Sequence, residues 1–205
     1  MLKLLRPALA LVAVFVVLTG VLFPLAVTAA ARAAFPYQSD GSLLRENGKI
    51  VGSELLGQNF ARPEYFHPRP SAAGAGYDGG NSGGTNLGPI SNKLINGTSD
   101  DPATPDADES YAGVRQLAEA FRKVNGLAAD VALPADAVTR SASGLDPHIS
   151  TRNAELQVSR VARARGIAEE QVREKVRAVT VSPFLSVFGE PAVNVLLLNR
   201  SLDAR

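Results

Sequence analysis

The chain of 205 residues has no cysteine, no tryptophan, only two histidines and almost no excess of either charge. Without cysteine, a disulfide framework, a zinc–thiolate site and a cysteine nucleophile are excluded. Two histidines are too few for a multi-histidine metal centre, so the sequence predicts no metal site. A formal net charge of +1 argues against a nucleic-acid-binding protein, because such proteins carry a basic excess on one face.

The hydrophobic residues are concentrated near the N-terminus. No residue between Arg6 and Arg32 is charged, and this uncharged run of 25 residues forms a helix of about 37 Å. That length spans a hydrocarbon layer of roughly 30 Å, and the run has no polar face. We therefore predict a transmembrane helix over residues 8–31, which Pro24 kinks or ends after Phe23.

A cleaved secretory signal is the alternative interpretation of this segment. Lys3 and Arg6 form a basic start, and Ala29 to Ala31 offer small residues for cleavage. Signal peptides, however, have apolar cores of only about 7 to 15 residues. The basic groups before the helix outnumber Arg32 after it, so the positive-inside tendency places residues 1–7 in the cytoplasm and everything after the helix outside.

Residues 32–205 are predicted to form one extracytoplasmic domain of the α+β class. Asn47-Gly48 lies between apolar pairs and predicts a hairpin over residues 42–53, since both residues accept the positive φ of a type I′ turn. No regular element fits the glycine-rich loop at residues 74–88. The acidic stretch after it indicates a solvated loop, with a calcium loop as the alternative, although the oxygen spacing of an EF-hand is missing.

Apolar residues at helical spacing predict two helices in the second half of the chain. The first buries one face through Val114, Leu117 and their neighbours, and Gly126 caps its C-terminus. The second begins near Thr151, where a hydroxyl can accept hydrogen bonds from the free amides of the first turn. It runs to Gly166, which ends it.

Two further elements are predicted towards the C-terminus. A third helix has Glu169 and Glu170 in its first turn, where the helix dipole favours acidic residues. The apolar run from Val193 to Leu198 is typical of a buried strand. Three arginines are expected on or beside the solvated outer face of the second helix, with binding of an anion or of a partner's carboxylates as the alternative: Arg160, Arg163 and Arg165.

One motif raises the possibility of catalysis. Gly80-Asn81-Ser82-Gly83-Gly84 matches the G-x-S-x-G pattern of a hydrolase nucleophile elbow, which needs a strand before the serine and a helix after it. Neither element is predicted there. Asp146 and His148 follow Ser82 in the order of a triad, but residues so close in sequence rarely orient each other as a triad requires. We therefore interpret His148, like His67, as structural.

The glycine-rich loop supports two other interpretations. No lysine completes a P-loop after these glycines, which argues against an autonomous ATPase. The loop can still bind an anion or a partner, because glycines let backbone amides approach closely, with Tyr65, Phe66 and Tyr77 as stacking surfaces. Alternatively, it is an ordered loop that packs on its own domain.

Several runs, in order over nearly the whole chain, resemble those of one known family. The runs are Gly57-Gln58-Asn59-Phe60, Tyr65-Phe66-His67-Pro68-Arg69-Pro70-Ser71-Ala72-Ala73, Ser82-Gly83-Gly84-Thr85-Asn86-Leu87, Ser141-Ala142-Ser143-Gly144-Leu145-Asp146, Arg160-Val161-Ala162-Arg163-Ala164-Arg165 and Gly189-Glu190-Pro191-Ala192-Val193-Asn194-Val195-Leu196 with Leu198-Asn199. Together with the single N-terminal span, they resemble the C subunit of the bacterial Kdp potassium-transporting ATPase. The acidic stretch is longer than in that family, and Thr85 stands where serine is commoner.

The resemblance implies an accessory, non-catalytic subunit of a complex in the bacterial inner membrane. In that complex a channel-like A subunit carries potassium, a P-type B subunit hydrolyses ATP and a small F subunit accompanies them. The family is described as a catalytic chaperone that raises the ATP affinity of the ATPase subunit. No tightly bound cofactor is implied, and ATP would be contacted only in a ternary complex with the ATPase subunit.

The resemblance, which implies a nucleotide contact for Gln58 and the Ser82-Gly83-Gly84 loop, and the chemistry of the loop region together give the candidate contact residues. Candidates for a nucleotide or partner contact are Gln58, Ser82, Gly83, Gly84 and Asn86, and candidates for a partner contact are Tyr65, Phe66, Arg69 and Tyr77. The predicted topology places them outside the cell, whereas ATP is inside, across roughly 30 Å of hydrocarbon. We therefore favour an assembly role. A nucleotide-contacting module on the cytoplasmic side and an extracytoplasmic hydrolase remain the alternatives.

Overall fold

The computed structural model describes residues 2–98 and 111–204, apart from the side chains of Leu2 and Lys3. The chain divides into two compact units, Met1–Ser53 and Glu54–Arg205. The acidic stretch at residues 100–109, and with it the calcium-loop alternative, lies outside the described residues.

The first unit begins with one long apolar helix. It comprises α1 (Leu2–Val17), a π-helical turn (Leu18–Leu22) and α2 (Phe23–Ala34). The stretch Leu4–Ala34 has 31 residues, a mean hydropathy of 2.7 in its most apolar window and no buried residue in that window. By length and composition this helix can cross a membrane, as the uncharged run predicts.

Of the kink or end predicted at Pro24, the end is wrong, because the chain stays helical for ten further residues, to Ala34. A proline inside a helix has no N–H to donate, and its ring collides with the carbonyl group four residues earlier. Here the helix widens into the π turn directly before Pro24, and the backbone N–H of Phe23 donates to the Leu18 carbonyl oxygen five residues back. This wider turn accommodates the proline without a break.

A short helix and a hairpin complete the first unit. Helix α3 (Pro36–Ser39) is followed by strands β1 (Leu43–Glu46) and β2 (Lys49–Ser53), which pair antiparallel. Asn47 and Gly48 between them have φ angles of 49° and 78°. Two positive φ values are the signature of a type I′ turn, so the predicted hairpin is confirmed.

The second unit mixes helices with a small sheet. Residues 54–91, all of which the structure describes, contain no helix or strand, as predicted for the glycine-rich loop. The elements after them are α4 (Asn92–Asn96), α5 (Val114–Asn125), α6 (Ala135–Val138), β3 (His148–Ser150), α7 (Thr151–Arg165), α8 (Glu169–Val179), β4 (Thr180–Val181), β5 (Ala192–Asn194) and α9 (Val195–Asp203). The three strands are antiparallel in the order β3-β5-β4.

The core of the second unit lies between its sheet and the helices α7, α8 and α9. Val158, Val172, Val193 and Leu198 are completely buried there, one from each of α7, α8, β5 and α9. Phe66, from the long segment without regular structure, is also completely buried in this cluster. The helices and the sheet therefore hold part of an irregular loop in their common core.

The ends of two predicted helices are confirmed at their glycines, while one cap differs. Gly126 and Gly166 adopt left-handed conformations with φ of 65° and 66° after α5 and α7. At the start of α7 the cap is Ser150, whose hydroxyl accepts a hydrogen bond from the Asn153 N–H at 3.1 Å, instead of Thr151. Ser150 has the extended backbone that a capping residue needs, whereas Thr151 is already helical.

One prediction about apolar residues holds only in part, and another is wrong. The face of α5 is only partly buried, since Val124 is 50% exposed and lines an open groove of about 320 Å³ with Leu117 and Phe121. The run from Val193 to Leu198 is mostly helix, because strand β5 ends at Asn194. The side-chain oxygen of Asn194 accepts a hydrogen bond from the Leu197 N–H at 3.1 Å and so starts α9.

Candidate functional site

The glycine-rich loop packs against the segment at residues 141–146. The backbone N–H of Gly83 and the hydroxyl of Ser82 both donate to the carbonyl oxygen of Ser143, at 3.0 and 2.9 Å. A Cβ atom on Gly84 would lie 2.6 Å from the carbonyl oxygen of Ala142. The absence of a side chain at residue 84 therefore allows two backbone segments of the same domain to touch.

On the other side of this contact, too, a glycine allows the two backbone segments to approach closely. Gly144 has a φ of +69°, and a Cβ atom there would lie 2.6 Å from the Ala73 nitrogen and 2.8 Å from the Gly83 oxygen. The hydroxyl of Ser71 donates to the Gly144 carbonyl oxygen at 2.7 Å and accepts from the N–H groups of Ala73 and Tyr77. Of the two interpretations of the glycine-rich loop, packing on its own domain accounts for all these contacts.

This arrangement does not support the hydrolase alternative. A nucleophile elbow holds its serine between a strand and a helix, but Ser82 lies within the segment of residues 54–91 that has neither. The Ser82 hydroxyl donates to a backbone carbonyl group, not to a base. Asp146 binds Arg69 and the backbone N–H of His148, so the expected acid serves an ion pair and a turn.

Phe66 and His67 are held by two side-chain amides. Asn199 accepts from the Phe66 N–H at 2.8 Å and donates to the Phe66 carbonyl oxygen at 3.0 Å. Gln157 does the same for His67, at 2.7 and 3.0 Å. Each side-chain amide pairs with the N–H and carbonyl groups of one residue, as a neighbouring strand would do in a sheet. The Phe66 ring is completely buried and packs in the core of its own domain, and the role of Phe66 as a partner contact stays a prediction.

Arg160 and Arg165 extend this attachment to residues 63–65. Arg160 is only 8% exposed and donates to the carbonyl oxygens of Pro63 and Tyr65, and to the side chain of Asn125. Burial lowers the pKa of its guanidinium to about 10. Arg165 donates to the carbonyl oxygen at residue 64 at 2.7 Å.

The predicted position of these arginines on a solvated face is therefore wrong for Arg160 and for most of Arg165, whose side chain is only 14% exposed. Arg163 alone is exposed as expected. The difference arises because the carbonyl groups of an irregular segment have no strand partners, and guanidinium groups can donate to several of them at once.

Tyr65 is half-buried between two arginines. The guanidinium carbons of Arg62 and Arg165 lie 4.9 and 5.2 Å from the centre of its ring. Its hydroxyl donates to the carboxylate of Asp203 at 3.0 Å and accepts from Arg62 at 3.0 Å. Tyr65 thereby connects the irregular segment to the last residue of α9, and only part of its ring remains open to solvent.

Arg69 lies beside Asp146, with 2.8 Å between Nη1 and the carboxylate oxygen. The other oxygen of Asp146 accepts from the backbone N–H of His148 at 2.9 Å, and the His148 ring nitrogen Nδ1 is 3.7 Å from it. Burial alone would raise the pKa of Asp146, but the interactions with His148 and Arg69 outweigh it and lower the pKa to about 2. The Asp146 carboxylate is therefore charged at neutral pH.

The remaining candidates lie around the same segment. The backbone N–H of Gly57 donates to the Leu145 carbonyl oxygen at 2.7 Å, which brings the half-buried Gln58 to the segment that also holds Ser82 and Gly83. Tyr77 donates its hydroxyl to the carbonyl oxygen of Arg69, and burial raises its pKa. Asn86 is exposed, with a φ of 52°.

A largely buried polar network was not predicted from the sequence. It consists of Asp136, Asn153, Gln157 and Asn199, all of which bind polar groups from distant segments. The signal was available on α7, where polar residues at 153, 157 and 160 alternate with the apolar residues of the core face. In residues 2–98 and 111–204, no group of three or more His, Cys, Asp or Glu side chains could hold a metal ion.

Comparison with known proteins identifies the family. The family model described as "KdpC: K+-transporting ATPase, c chain" matches residues 5–204. Relatives named potassium-transporting ATPase KdpC subunit include one from Caulobacter vibrioides, 52% identical over 100% of this chain and 95% of its own length. Another, from Mycobacterium tuberculosis, is 46% identical over 97% of both chains. The chain therefore belongs to the KdpC family, as an accessory subunit of a Kdp potassium-transporting ATPase complex.

Proposed function

We propose that the chain assembles and stabilises a potassium-transporting ATPase complex without performing chemistry itself. The helix Leu4–Ala34 anchors it in the inner membrane and packs against the channel-like A subunit. The second unit covers the outer mouth of that subunit, next to the P-type B subunit and the small F subunit. Membership of the KdpC family supports the partners, and the fully exposed apolar helix supports the anchor.

The observation that carries the non-catalytic role is the bonding of the glycine-rich loop. The Ser82 hydroxyl and the Gly83 N–H are the groups that would bind a phosphate, and both already donate to the Ser143 carbonyl oxygen. Binding ATP there would require this contact to open. Any effect on the ATP affinity of the B subunit is therefore allosteric, with a coupling of about 1 to 3 kcal/mol between distant sites.

The orientation follows from the charges beside the helix. Lys3, Arg6 and the amino terminus precede it, and Arg32 ends it, which favours a cytoplasmic N-terminus. The second unit is then extracytoplasmic and separated from cytoplasmic ATP by roughly 30 Å of hydrocarbon. Because the chain has no cysteine, Asp130→Cys gives a single label site on the exposed part of this unit. Labelling of intact cells by an impermeant maleimide is expected, and a cytoplasmic second unit would remain unlabelled until lysis.

The assembly role is tested by exchanging the helix. Residues 4–34 are replaced by an unrelated transmembrane helix of equal length with the same flanking charges, and the complex is purified through a tag on the B subunit. We expect the exchanged chain to reach the membrane but to be lost from the complex. Full recovery would show that the helix is only an anchor. Failure of the unmodified chain to co-purify would contradict the assembly role as a whole.

A further inference from the structure

An exposed apolar loop connects β4 and β5. We call residues 184–188 the apolar loop. Its four large side chains are 65% to 75% exposed: Phe184, Leu185, Val187 and Phe188. Isolated apolar residues on a surface are common, but four in five consecutive positions form a patch of the kind that marks an interaction site.

The apolar loop has a defined shape of its own. The backbone groups of Phe184 and Phe188 exchange two hydrogen bonds of 2.9 Å, and the Ser186 N–H donates to the Pro183 carbonyl oxygen at 3.0 Å. These bonds satisfy several backbone groups of the loop, which reduces the cost in lost hydrogen bonds when its side chains enter an apolar environment. The backbone of the apolar loop therefore favours burial of its side chains against an apolar surface.

The backbone of the apolar loop is also strained. Leu185 has a φ of 52°, a left-handed conformation that costs a residue with a Cβ atom about 1 to 2 kcal/mol. Ser186, next to it, has a φ of 61°. Asparagine or glycine would adopt these angles more easily, and the leucine side chain is not used in the core of this domain, because it is 71% exposed. Strain of this kind occurs where a side chain serves a contact.

We propose that the apolar loop inserts into a hydrophobic pocket with a basic rim on another subunit of the potassium-transporting ATPase complex. The inference rests on the assembly role proposed above and adds the surface that makes the contact. From residue 178 to residue 199 the only charged residue is Glu190, which is exposed and forms no ion pair with any residue in the described ranges. A lone carboxylate beside four apolar side chains complements an apolar pocket edged by an arginine or a lysine.

A lipid surface fits the apolar loop less well. Segments that enter the membrane interface carry lysine or arginine for the anionic headgroups, and tryptophan or tyrosine at the boundary. Residues 178 to 199 contain none of these, and Glu190 would be repelled by anionic headgroups. The charge of the segment thus favours a protein as the occupant.

A tryptophan reporter distinguishes the two occupants. The chain has no tryptophan, so Phe188→Trp introduces one indole into the chain, at the apolar loop. The full-length variant is placed in nanodiscs of phosphatidylcholine and phosphatidylglycerol with brominated acyl chains, alone and together with the other subunits. We expect emission typical of a water-exposed indole for the chain alone. In the complex, the difference spectrum against the same complex with the unmodified chain should show a blue shift without bromine quenching. Quenching by the brominated lipid would assign the loop to the bilayer and overturn the proposal.

Substitution separates the contact from stability. Leu185→Asn removes the apolar side chain but suits the left-handed backbone, so the unfolding temperature of the full chain should stay level or rise. We expect its combination with Phe188→Ser to reduce recovery of the complex about tenfold or more, as the loss of buried anchors in an interface does. Ile90→Ser removes an equally apolar side chain that is 94% exposed elsewhere, and should leave recovery unchanged.

The outcomes also separate the apolar loop from the assembly role. If the complex forms with the loop variant as readily as with the unmodified chain, or if the indole emission of the Phe188→Trp variant does not shift in an intact complex, the apolar loop is not the contact surface and the assembly role stands. If neither the unmodified chain nor any variant joins the complex, both proposals fail.

Discussion

The side-chain amide of Gln157 forms two hydrogen bonds with the backbone of His67, accepting from its N–H at 2.7 Å and donating to its carbonyl oxygen at 3.0 Å. Gln157 is completely buried, and its side-chain oxygen also accepts from Arg160 at 2.6 Å. One residue of α7 therefore fixes the irregular segment that passes over the core. Stability of the second unit depends on such polar side chains as well as on apolar packing.

Replacement of this amide should be costly. Gln157→Leu keeps a side chain of similar size but leaves the N–H and carbonyl groups of His67 and one nitrogen of Arg160 without a partner. Each unsatisfied buried group costs about 1 to 3 kcal/mol, so we expect a loss of about 3 to 5 kcal/mol in the free energy of unfolding. Urea unfolding of the full chain in detergent measures it. Gln38→Leu, at an exposed glutamine, is the control and should change it by less than about 0.5 kcal/mol.

Gly144 and Gly126 allow the two costs of replacing a glycine to be measured apart: the cost of a left-handed backbone and the cost of a close contact with another segment. Gly144 and Gly126 have φ angles of +69° and +65°, but only Gly144 has backbone atoms within 3 Å of the place a Cβ atom would occupy. Gly126→Ala should therefore cost only the conformational term, about 1 to 2 kcal/mol. Gly144→Ala should cost about 2 to 4 kcal/mol, because the two backbone segments must also move apart. Equal losses in urea unfolding would mean that the contact between residues 83 and 144 is loose.

The ionised Asp146 should make the stability of the fold depend on pH in the acidic range. Hydrogen bonds with His148 and the ion pair with Arg69 outweigh burial and lower the pKa of Asp146 to about 2, below the value of about 3.9 of the unfolded chain. The stabilisation is therefore complete above about pH 5 and is lost as the pH falls from about 4 to about 2. Asp146→Asn should flatten the stability curve in this window by about 1 to 2 kcal/mol. Asp130→Asn, at an exposed aspartate, should leave the curve as it is.

Arg160 should not tolerate lysine. Lysine keeps the charge, but its single ammonium group cannot reach Asn125, Gln157 and the carbonyl groups of residues 63 and 65 at once. We expect Arg160→Lys to lower the unfolding free energy by about 2 to 4 kcal/mol. Arg163→Lys, on the exposed side of the same helix, is the matched control and should be neutral. If Arg160→Lys left the free energy of unfolding unchanged, the buried position of Arg160 would be contradicted, and the solvated position that the sequence pattern suggests would be favoured.

The sequence predicted those elements whose determinants are local. Asn47 and Gly48 specify a turn by their own backbone preferences, and Gly166 ends a helix for the same reason. The strand predicted at Val193 to Leu198 failed, because a short apolar run fits a buried strand and a buried helix equally well. Asn194 inside the run acts as a helix cap only because the chain turns there.

The candidate site was predicted less well than the fold, for a physical reason. The glycines indicated a close backbone approach, but glycine does not reveal which segment approaches, and residues 141–146 are far away in sequence. Arg160 was misplaced because its partners are backbone carbonyl groups of residues 63 and 65, which leave no trace in side-chain chemistry. Contacts of this kind follow only from the tertiary structure.

The length of the N-terminal helix has a mechanical consequence. Thirty-one residues extend for about 46 Å, roughly half as long again as a hydrocarbon layer of about 30 Å. A typical tilt of about 20° shortens the span only to about 43 Å, so several residues stand outside the lipid even when the helix leans. At the end nearer the hairpin, Thr28 to Ala34 can form a stiff stalk. A rotation of the part of the helix that lies in lipid would then be carried along this stalk to Ala34, where α2 ends and α3 leads on to the hairpin.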